Sequence, residues 1–350
     1  MKRLFVGIVV VALTMIAGIP GPAVSADSLN SLWLTPPVVS GTINYGNPHP
    51  SSIRPVADVD LMALGDPDVT GKTGPDRTPT WGQYSLTGFG ESPYTVTPSK
   101  NGTLNNFINS FDAAMVARHV SGIQLLDSTQ QIVADVSGNG LIQSFDAAYI
   151  AAFVVNSPRA HGSTGTWIFN PGDRNYPYII SDIDAQDYTA LLMGEVSGNW
   201  NNNGNGGGGG RSARQSVISA PSLLSASHLI SVPVRIESGA DKDIIAYQFD
   251  LRYDPKVIRP LQNPVSLVSS VSRGLSMAVN ATEPGLIKLA VYGALPIERD
   301  GLLLNLRFEA VGAAGDISPL TFESPMINEG DPAAVTVNGQ ITISNSSSNN

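Results

Sequence analysis

The sequence contains no cysteine, and only 14% of its 350 residues are charged. Without cysteine, the chain has neither disulfide bonds nor a thiol for a lipid anchor. Its formal net charge of −9 argues against a nucleic-acid partner and favours cation binding. The four histidines are isolated, and no nucleophile-elbow, phosphate-loop or zinc-protease motif occurs. The composition therefore predicts a protein that is not an enzyme.

Long apolar runs are also scarce, and the one that stands out lies at the start of the chain. Lys2 and Arg3 precede an apolar run from Leu4 to Ile16, and small residues follow up to Ala26. This pattern is typical of a cleaved secretory signal over residues 1–26. The sequence therefore predicts a secreted protein, located outside the cell or at its surface, with no membrane span in the mature chain.

The stretch from Asp135 to Asp146 reads D-V-S-G-N-G-L-I-Q-S-F-D. A twelve-residue calcium loop places oxygen ligands at positions 1, 3, 5, 7, 9 and 12, with glycine at position 6. Here those ligand positions hold Asp135, Ser137, Asn139, the backbone carbonyl of Leu141, Gln143 and Asp146. Every position offers an oxygen, so the sequence predicts calcium as a cofactor. The alternative is a polar loop that only caps the following helix.

A second copy of this segment lies upstream at one constant offset. The repeated residues are Ile108, Ser110, Phe111, Asp112, Ala113 and Ala114, which match Ile142, Ser144, Phe145, Asp146, Ala147 and Ala148. Its ligand positions hold Asn101, Thr103, Asn105, the carbonyl of Phe107, Asn109 and Asp112. Only one carboxylate remains in this set, against two downstream. Because ligand charge tunes calcium affinity, we expect this loop to bind calcium weakly or not at all.

The paired loop–helix segments resemble the repeats of dockerin domains, in which aspartate at position 12 is the norm. The resemblance implies two calcium loops whose helices pack on each other and bind a cohesin domain. It also implies that loop positions 10 and 11 contact the partner, which here are Ser110, Phe111, Ser144 and Phe145. The two phenylalanines are equally well explained as core residues.

Residues 157–200 follow the paired repeats. Apolar residues between Trp167 and Ile180 predict one or two strands that rejoin an N-terminal sandwich or cover the repeats, and Asp182 to Met193 reads as a short helix. The segment from Glu195 to Trp200 repeats the opening of the Asp135 loop with glutamate in place of aspartate. Because no carboxylate stands twelve residues along, we interpret Glu195 as structural.

Short apolar runs separated by Gly, Pro and Asn predict a small β-sandwich over residues 27–98. Ala57, Val59, Leu61 and Ala63 alternate with Asp58, Asp60 and Met62, which is a strand pattern. The string from Gly82 to Ser99 resembles carboxypeptidase-regulatory-like, or prealbumin-like, sandwiches. The resemblance implies a spacer domain. Residues 99–200 then form the dockerin-like region with its appended segment.

A run of Asn and Gly over residues 201–214 predicts a flexible linker, and a second β domain follows over 215–344. Its alternating apolar runs predict a two-sheet jelly roll, and residues 345–350 are expected to be a tail. The strings S-V-P-V-R-I, I-A-Y-Q-F-D-L-R-Y-D-P-K-V-I and D-G-L-L-L-N-L-R-F-E-A resemble a cohesin domain. The fold class is therefore mostly β, with a small α segment.

Together these resemblances imply a secreted, calcium-dependent interaction protein, a scaffold or adaptor linked to polysaccharide breakdown. Its partners would be dockerin- or cohesin-bearing proteins or a second copy of itself. Alternatively, the two domains of one chain would bind each other. Two alternatives stay open: a carbohydrate-binding protein, for which Trp81 and Tyr84 are candidates, and a cell-surface adhesin or spacer. The scarcity of aromatic residues in the C-terminal domain disfavours a sugar platform there.

Overall fold

The computed structural model describes residues 36–48, 52–102, 107–158, 162–202, 214–239 and 242–345. The predicted signal segment, most of the linker and residues 346–350 lie outside these ranges, as do Thr103 and Asn105 of the upstream loop. The described residues form two β-sandwiches and one helical region.

The first sandwich consists of two four-stranded sheets. Its strands are β1 (Val39–Tyr45), β2 (Asp60–Leu64), β3 (Val69–Lys72), β4 (Gln83–Leu86), β5 (Tyr94–Ser99), β6 (Trp167–Asn170), β7 (Arg174–Tyr176) and β8 (Tyr188–Leu192). The strand orders are β4-β1-β8-β6 and β3-β2-β5-β7. Strand β2 shows the alternation predicted from the sequence, because Leu61 and Ala63 are buried while Asp60, Met62 and Leu64 are exposed.

Strands from both sides of the helical region share these sheets. Strand β8 pairs in parallel with β1, and β7 pairs with β5 so that Tyr176 lies opposite Tyr94. The helical region is thus an insertion between β5 and β6. Strand pairing continues across the expected boundary at residues 98 and 99. The domain boundaries and the prealbumin-like resemblance stay predictions.

The helix predicted from Asp182 to Met193 is wrong, because this segment is extended and ends in β8. Its acidic side chains bind the neighbouring strand instead of capping a helix. The carboxylates of Asp182 and Asp184 accept hydrogen bonds from Val38 N (2.9 Å) and Ser40 Oγ (2.6 Å), respectively. Such side-chain to backbone bonds compete with helix formation, and tertiary pairing with β1 decides the outcome.

The helical region contains α1 (Ser110–Val120), α2 (Ser128–Ala134) and α3 (Ser144–Val154). Helices α1 and α3 begin at equivalent positions of the two repeats and pack on each other, as the sequence predicts. Gly122 follows the end of α1 with φ +70°, a backbone conformation that glycine adopts readily. Helix α2 was not predicted, although Asp127 and Gln130 form a capping box at its start. No helix of the described ranges is long and apolar enough to cross a membrane.

The second sandwich is a jelly roll, as predicted. Its strands are β9 (Gln215–Ser219), β10 (Ser222–Ser225), β11 (Leu229–Glu237), β12 (Ile244–Arg252), β13 (Ile258–Ser266), β14 (Ser276–Asn280), β15 (Leu286–Ile297), β16 (Gly301–Ala310), β17 (Ile317–Ile327), β18 (Ala333–Val337) and β19 (Gly339–Ile343). A six-stranded sheet, β10-β19-β17-β12-β15-β14, faces a five-stranded sheet, β13-β16-β11-β9-β18.

Its core contains most of the aromatic residues of this domain. Tyr247, Phe249 and Phe308 are at most 1% exposed, and Tyr253 and Phe322 are also buried there, whereas Tyr292 is buried on the other side of the six-stranded sheet. Alternation along β12 places Tyr247, Phe249 and Leu251 on the inner face of this sheet. These rings therefore stabilise the sandwich and offer no exposed platform for a ligand.

Candidate calcium loops and docking face

The Asp135 loop folds around its own first carboxylate. Asp135 Oδ2 accepts a hydrogen bond from Gly140 N at 2.7 Å, and Asp135 Oδ1 accepts from Asn139 N at 3.1 Å and Ser137 Oγ at 3.3 Å. Gly138 and Gly140 have positive φ values of +71° and +80°, which the tight turn requires. The sequence pattern thus produces the curled loop that it predicts.

Asp146 closes this loop from its far end. It is fully buried at the first turn of α3, and its two oxygens accept hydrogen bonds from Ser137 N and Gln143 N, each at 2.9 Å. Asn139 Nδ2 lies 3.3 Å from Gln143 Oε1. The polar side chains assigned as ligands therefore lie in one hydrogen-bonded network. This all-oxygen donor set, with two carboxylates, fits calcium.

The upstream loop is closed differently. Asp112 is fully buried at the first turn of α1, and its Oδ2 accepts from Asn109 N at 2.8 Å. Its Oδ1 accepts from Val196 N at 2.8 Å and from Ser197 N at 2.9 Å. Asn101, the expected first ligand, is exposed. The segment that closes this loop therefore comes from beyond β8.

Sequence reasoning did not predict this use of the segment that starts at Glu195. The signal was present, because Val196, Ser197, Gly198 and Asn199 repeat the letters that follow Asp135. From the sequence alone, Glu195 is interpreted as structural, because no carboxylate stands twelve residues further along. In the structure, the carboxylate in the corresponding place is Asp112, which precedes the segment in the chain.

Carboxylates crowd this second loop. Burial raises the pKa of Asp112 well above its usual range, and the nearby carboxylates of Glu329 and Glu195 raise it further. Burial also raises the pKa of Glu195, to about 7, and that of Glu329. Among the described residues, no three His, Asp or Glu side chains are arranged to hold a metal by themselves. A calcium shell at either loop therefore has to include amide, hydroxyl and carbonyl oxygens.

The helices of the repeats lie on the six-stranded sheet of the second sandwich. Helix α1 contacts β12 and β15, and α3 contacts β14. Ile245, Ala246 and Tyr292 of this sheet share one buried apolar cluster with Met115 and Val116 of α1. The C-terminal domain and the repeat pair are therefore packed together within one chain.

Polar contacts fix the position of the helices on this face. Ser110 N donates to Gln248 Oε1 at 2.8 Å. At the end of α3, Asn280 Nδ2 donates to the carbonyl oxygens of Val155 (2.9 Å) and Asn156 (2.7 Å). Both repeats are thus held by hydrogen bonds between their backbone and side chains of the sheet.

The residues expected to contact a partner differ between the repeats. Ser110 is fully buried and Phe111 is half-buried, beside the sheet. Ser144 is exposed, and Phe145 is 52% exposed with its ring 4.3 Å from that of Tyr149. Ser110 therefore lies at the docking face and Ser144 faces solvent, while Phe145 lines a cleft with Met277 of β14 and Tyr292 of β15.

Models of two known domain families match the second sandwich and the paired repeats. A cohesin domain model matches residues 218–343, and a dockerin type I domain model matches residues 103–154. These models cover the second sandwich and the paired repeats, but not the first sandwich. No curated protein matches the chain.

Solved structures also resemble part of the chain. A type I cohesin–dockerin complex from Clostridium thermocellum is 21% identical, over 37% of this chain and 99% of that one, with a TM-score of 0.33. A cohesin from Acetivibrio cellulolyticus scaffoldin B in complex with a dockerin is 20% identical, over 37% and 99%, with a TM-score of 0.33. A non-cellulosomal cohesin from Archaeoglobus fulgidus is 25% identical, over 37% and 91%, with a TM-score of 0.32.

Proposed function

We propose that this chain, which carries a type I dockerin domain and a cohesin domain, is a secreted calcium-dependent adaptor whose two interaction domains close on each other. Cohesin and dockerin domains are non-catalytic interaction domains, so the function of these two regions is protein–protein binding. The finer parts of the proposal are its calcium dependence, its location, its self-closure and its link to polysaccharide breakdown.

One observation carries the proposal of self-closure: α1 lies against β12 and β15 of the same chain. Ala246 and Tyr292 are buried in this contact, and Gln248 accepts a hydrogen bond from the first residue of α1. Burial of apolar side chains together with matched polar groups is the anatomy of a specific interface.

Calcium would be held by the Asp135 loop through the carboxylates of Asp135 and Asp146, the side chains of Ser137, Asn139 and Gln143, and the carbonyl of Leu141. A bound divalent cation offsets the mutual repulsion of the carboxylates and makes formation of the loop more favourable. The loop in turn sets the start of α3. Calcium would therefore stabilise the paired helices that form the docking surface.

Closure within the chain competes with binding to other molecules. The tether of residues 203–213 keeps the two domains close, and the effective concentration across a short linker is in the millimolar range, by order of magnitude. To displace the intramolecular contact, a separate dockerin- or cohesin-bearing protein has to be present above this concentration or bind more tightly than the chain's own domain does. The dockerin and cohesin domains of one chain would thus stay bound to each other until a partner of higher affinity is present.

The test compares two serines at equivalent positions, Ser110→Arg and Ser144→Arg. In the full-length chain with calcium, the wild type should be a compact monomer by light scattering and small-angle X-ray scattering. Ser110→Arg should increase the radius of gyration, because a bulky charge cannot enter the buried contact with β12. Ser144→Arg should leave it unchanged, since that side chain faces solvent.

The second comparison is between the wild type in calcium and the wild type in EDTA. We expect a larger radius of gyration in EDTA. A mass that rises with concentration, together with an extended monomer, would show that the domains bind between chains instead. Closure would be refuted if the wild type is extended and its radius of gyration changes neither with calcium nor with the Ser110→Arg substitution.

The carbohydrate-binding alternative is not favoured. Tyr84 of the first sandwich is 4% exposed and belongs to its core, and Tyr84 Oη donates to the carbonyl of Gln186 at 2.5 Å. The aromatic residues of the second sandwich are buried as well.

A further inference from the structure

The segment from Glu195 to Asn199 has the same hydrogen bonds as the start of the Asp135 loop. Glu195 Oε1 accepts from Asn199 N at 2.8 Å and from Ser197 Oγ at 3.0 Å. In the Asp135 loop, the equivalent contacts to the first carboxylate come from Asn139 N and Ser137 Oγ. The two segments therefore curl around a carboxylate in the same way.

The far ends of the two loops correspond as well. Ser197 N donates to Asp112 Oδ1 at 2.9 Å, as Ser137 N donates to Asp146 Oδ1 at 2.9 Å. Asn109 N donates to Asp112 Oδ2 at 2.8 Å, which corresponds to the bond from Gln143 N to Asp146 Oδ2. A complete loop is thus assembled from two pieces of chain that are far apart in sequence.

The second domain adds a further carboxylate to this assembly. Glu329, which follows β17, is partly buried, and its Oε1 accepts from Asn199 Nδ2 at 2.7 Å and from Asn109 Nδ2 at 3.4 Å. Glu329 therefore contacts the amide side chains of Asn199 and Asn109, whose backbone N–H groups donate to Glu195 and Asp112, respectively. None of the ion pairs among the described residues involves Asp112, Glu195 or Glu329.

Buried oxygen atoms without partners lie at the same place. The Oδ1 atom of Asn199 is buried and has no hydrogen-bond partner among the described residues. Asn47 is 2% exposed, and its Nδ2 donates to the carbonyl of Glu195 at 2.9 Å, while its Oδ1 also lacks a partner. The carboxylates accept hydrogen bonds, including one from Tyr45 Oη to Glu195 Oε2, but they have no cationic partner among the described ion pairs. Buried oxygens without a hydrogen bond and buried carboxylates without a cation are each costly, and one hard cation would relieve both costs.

We propose that a calcium ion binds a composite site in which Glu195, Ser197 and Asn199 take loop positions 1, 3 and 5, and Asp112 takes position 12. Asn109 and the carbonyl of Phe107 supply positions 9 and 7, as the sequence predicts. Glu329 adds a ligand from the cohesin domain. Asn101, Thr103 and Asn105 are then not ligands.

This site deepens the proposed function. Only the contribution of Glu329 to the site rests on the proposed closure of the two domains. A cation with ligands from both domains binds more tightly when the domains are closed than when they are open. By linkage, the same ion then stabilises closure by an equal factor. Among the described residues, the side chains assigned as ligands in the Asp135 loop form their hydrogen bonds within the loop, so this site would lack the direct coupling.

The test is isothermal titration calorimetry of CaCl2 into the metal-free full-length chain. The wild type should bind two calcium ions per chain. Glu195→Gln should lose one of them or weaken it by about tenfold or more, because ligand charge tunes affinity. Asn101→Ala should keep both, and Glu91→Gln, at an exposed glutamate of the first sandwich, serves as the charge-matched control.

Glu329→Gln provides a variant on the other domain, where misfolding of the loop is not a concern. It should weaken one site by several-fold and leave the other unchanged. Circular dichroism of each metal-free variant checks that the chain is folded. If the wild type binds two calcium ions and Glu195→Gln binds both with unchanged affinity, the composite site is refuted. It is also refuted if Asn101→Ala loses a calcium ion and Glu195→Gln does not.

The two proposals fail in different ways. If only one calcium binds, and Asp135→Ala abolishes it, the composite site is refuted while compaction by X-ray scattering still reports on closure. If Glu195→Gln removes one of two ions but Glu329→Gln changes neither, the two pieces of chain form the site without the cohesin domain. That result would contradict the coupling between calcium and closure.

Discussion

The two repeats share the residues Ser-Phe-Asp-Ala-Ala at the start of a helix, yet the structure gives them different surroundings. In the upstream repeat, Ser110 is buried against the cohesin sheet and Asp112 bonds to a remote segment. In the downstream repeat, Ser144 is exposed and Asp146 bonds to its own loop. Local sequence therefore determines the helix and its cap, while tertiary context determines which residues complete each loop and which face docks.

The largest difference is expected from the equivalent isoleucines. Ile108 is fully buried, whereas Ile142 is half-buried. Ile108→Ala should lower the free energy of unfolding by about 2–5 kcal/mol, through lost burial and a cavity. Ile142→Ala should cost about half as much. Urea unfolding in saturating calcium measures both, and equal losses would show that the repeats are packed alike.

The paired phenylalanines should differ by less. Phe111 is half-buried against the core, and Phe145 is 52% exposed. Phe111→Ala should therefore cost about 1–2 kcal/mol of unfolding free energy, and Phe145→Ala less than about 1 kcal/mol. The same urea titration is the measurement. A larger loss for Phe145→Ala would indicate that this ring is covered in solution.

Calcium affinity gives a third comparison. Asp135→Ala should lower the affinity of the downstream loop by about tenfold or more, because it removes one of two carboxylates. Thr103→Ala should leave calcium affinity unchanged, because Thr103 is not a ligand of the proposed composite site. Calorimetry with calcium separates the two variants, and equal losses would contradict the expectation that the Asp135 loop binds better than a contiguous Asn101 loop.

The smallest effects are expected where the helices end. Gly122 after α1 and Asn156 after α3 occupy equivalent positions, with φ +70° and +48°. Gly122→Ala should destabilise the protein by about 1 kcal/mol, because alanine resists positive φ. Asn156→Gly should change stability by less than about 0.5 kcal/mol, because glycine also tolerates this conformation. Thermal unfolding of the two variants against wild type is sufficient.

Features that depend on neighbours in the sequence could be predicted. The alternation of Val232, Val234 and Ile236 correctly predicts one face of β11, and all three are buried. The curled Asp135 loop follows from its glycines and its oxygen spacing. Its calcium ligands stay a prediction. In each of these cases, the residues that determine the structure lie within about twelve positions of one another.

Features that depend on distant contacts could not be predicted. The partnership of Asp112 with Val196 and Ser197 joins residues on either side of three strands, and no periodicity reports it. The extended segment from Asp182 depends on β1, which begins more than a hundred residues earlier. Helix α2 is different, because the capping pair Asp127 and Gln130 is visible in the sequence.

The insertion of the repeats between β5 and β6 has a mechanical consequence. The chain leaves the first sandwich after Ser99 and returns at β6, which pairs with β8 in the sheet that contains β1. Tension applied between Pro37 and Leu192 would be carried through the directly hydrogen-bonded parallel strands β1 and β8 and would bypass α1 and α3. Beyond Leu192, the chain bonds to Asp112 at the start of α1, so tension applied further along the chain would reach the docking helices.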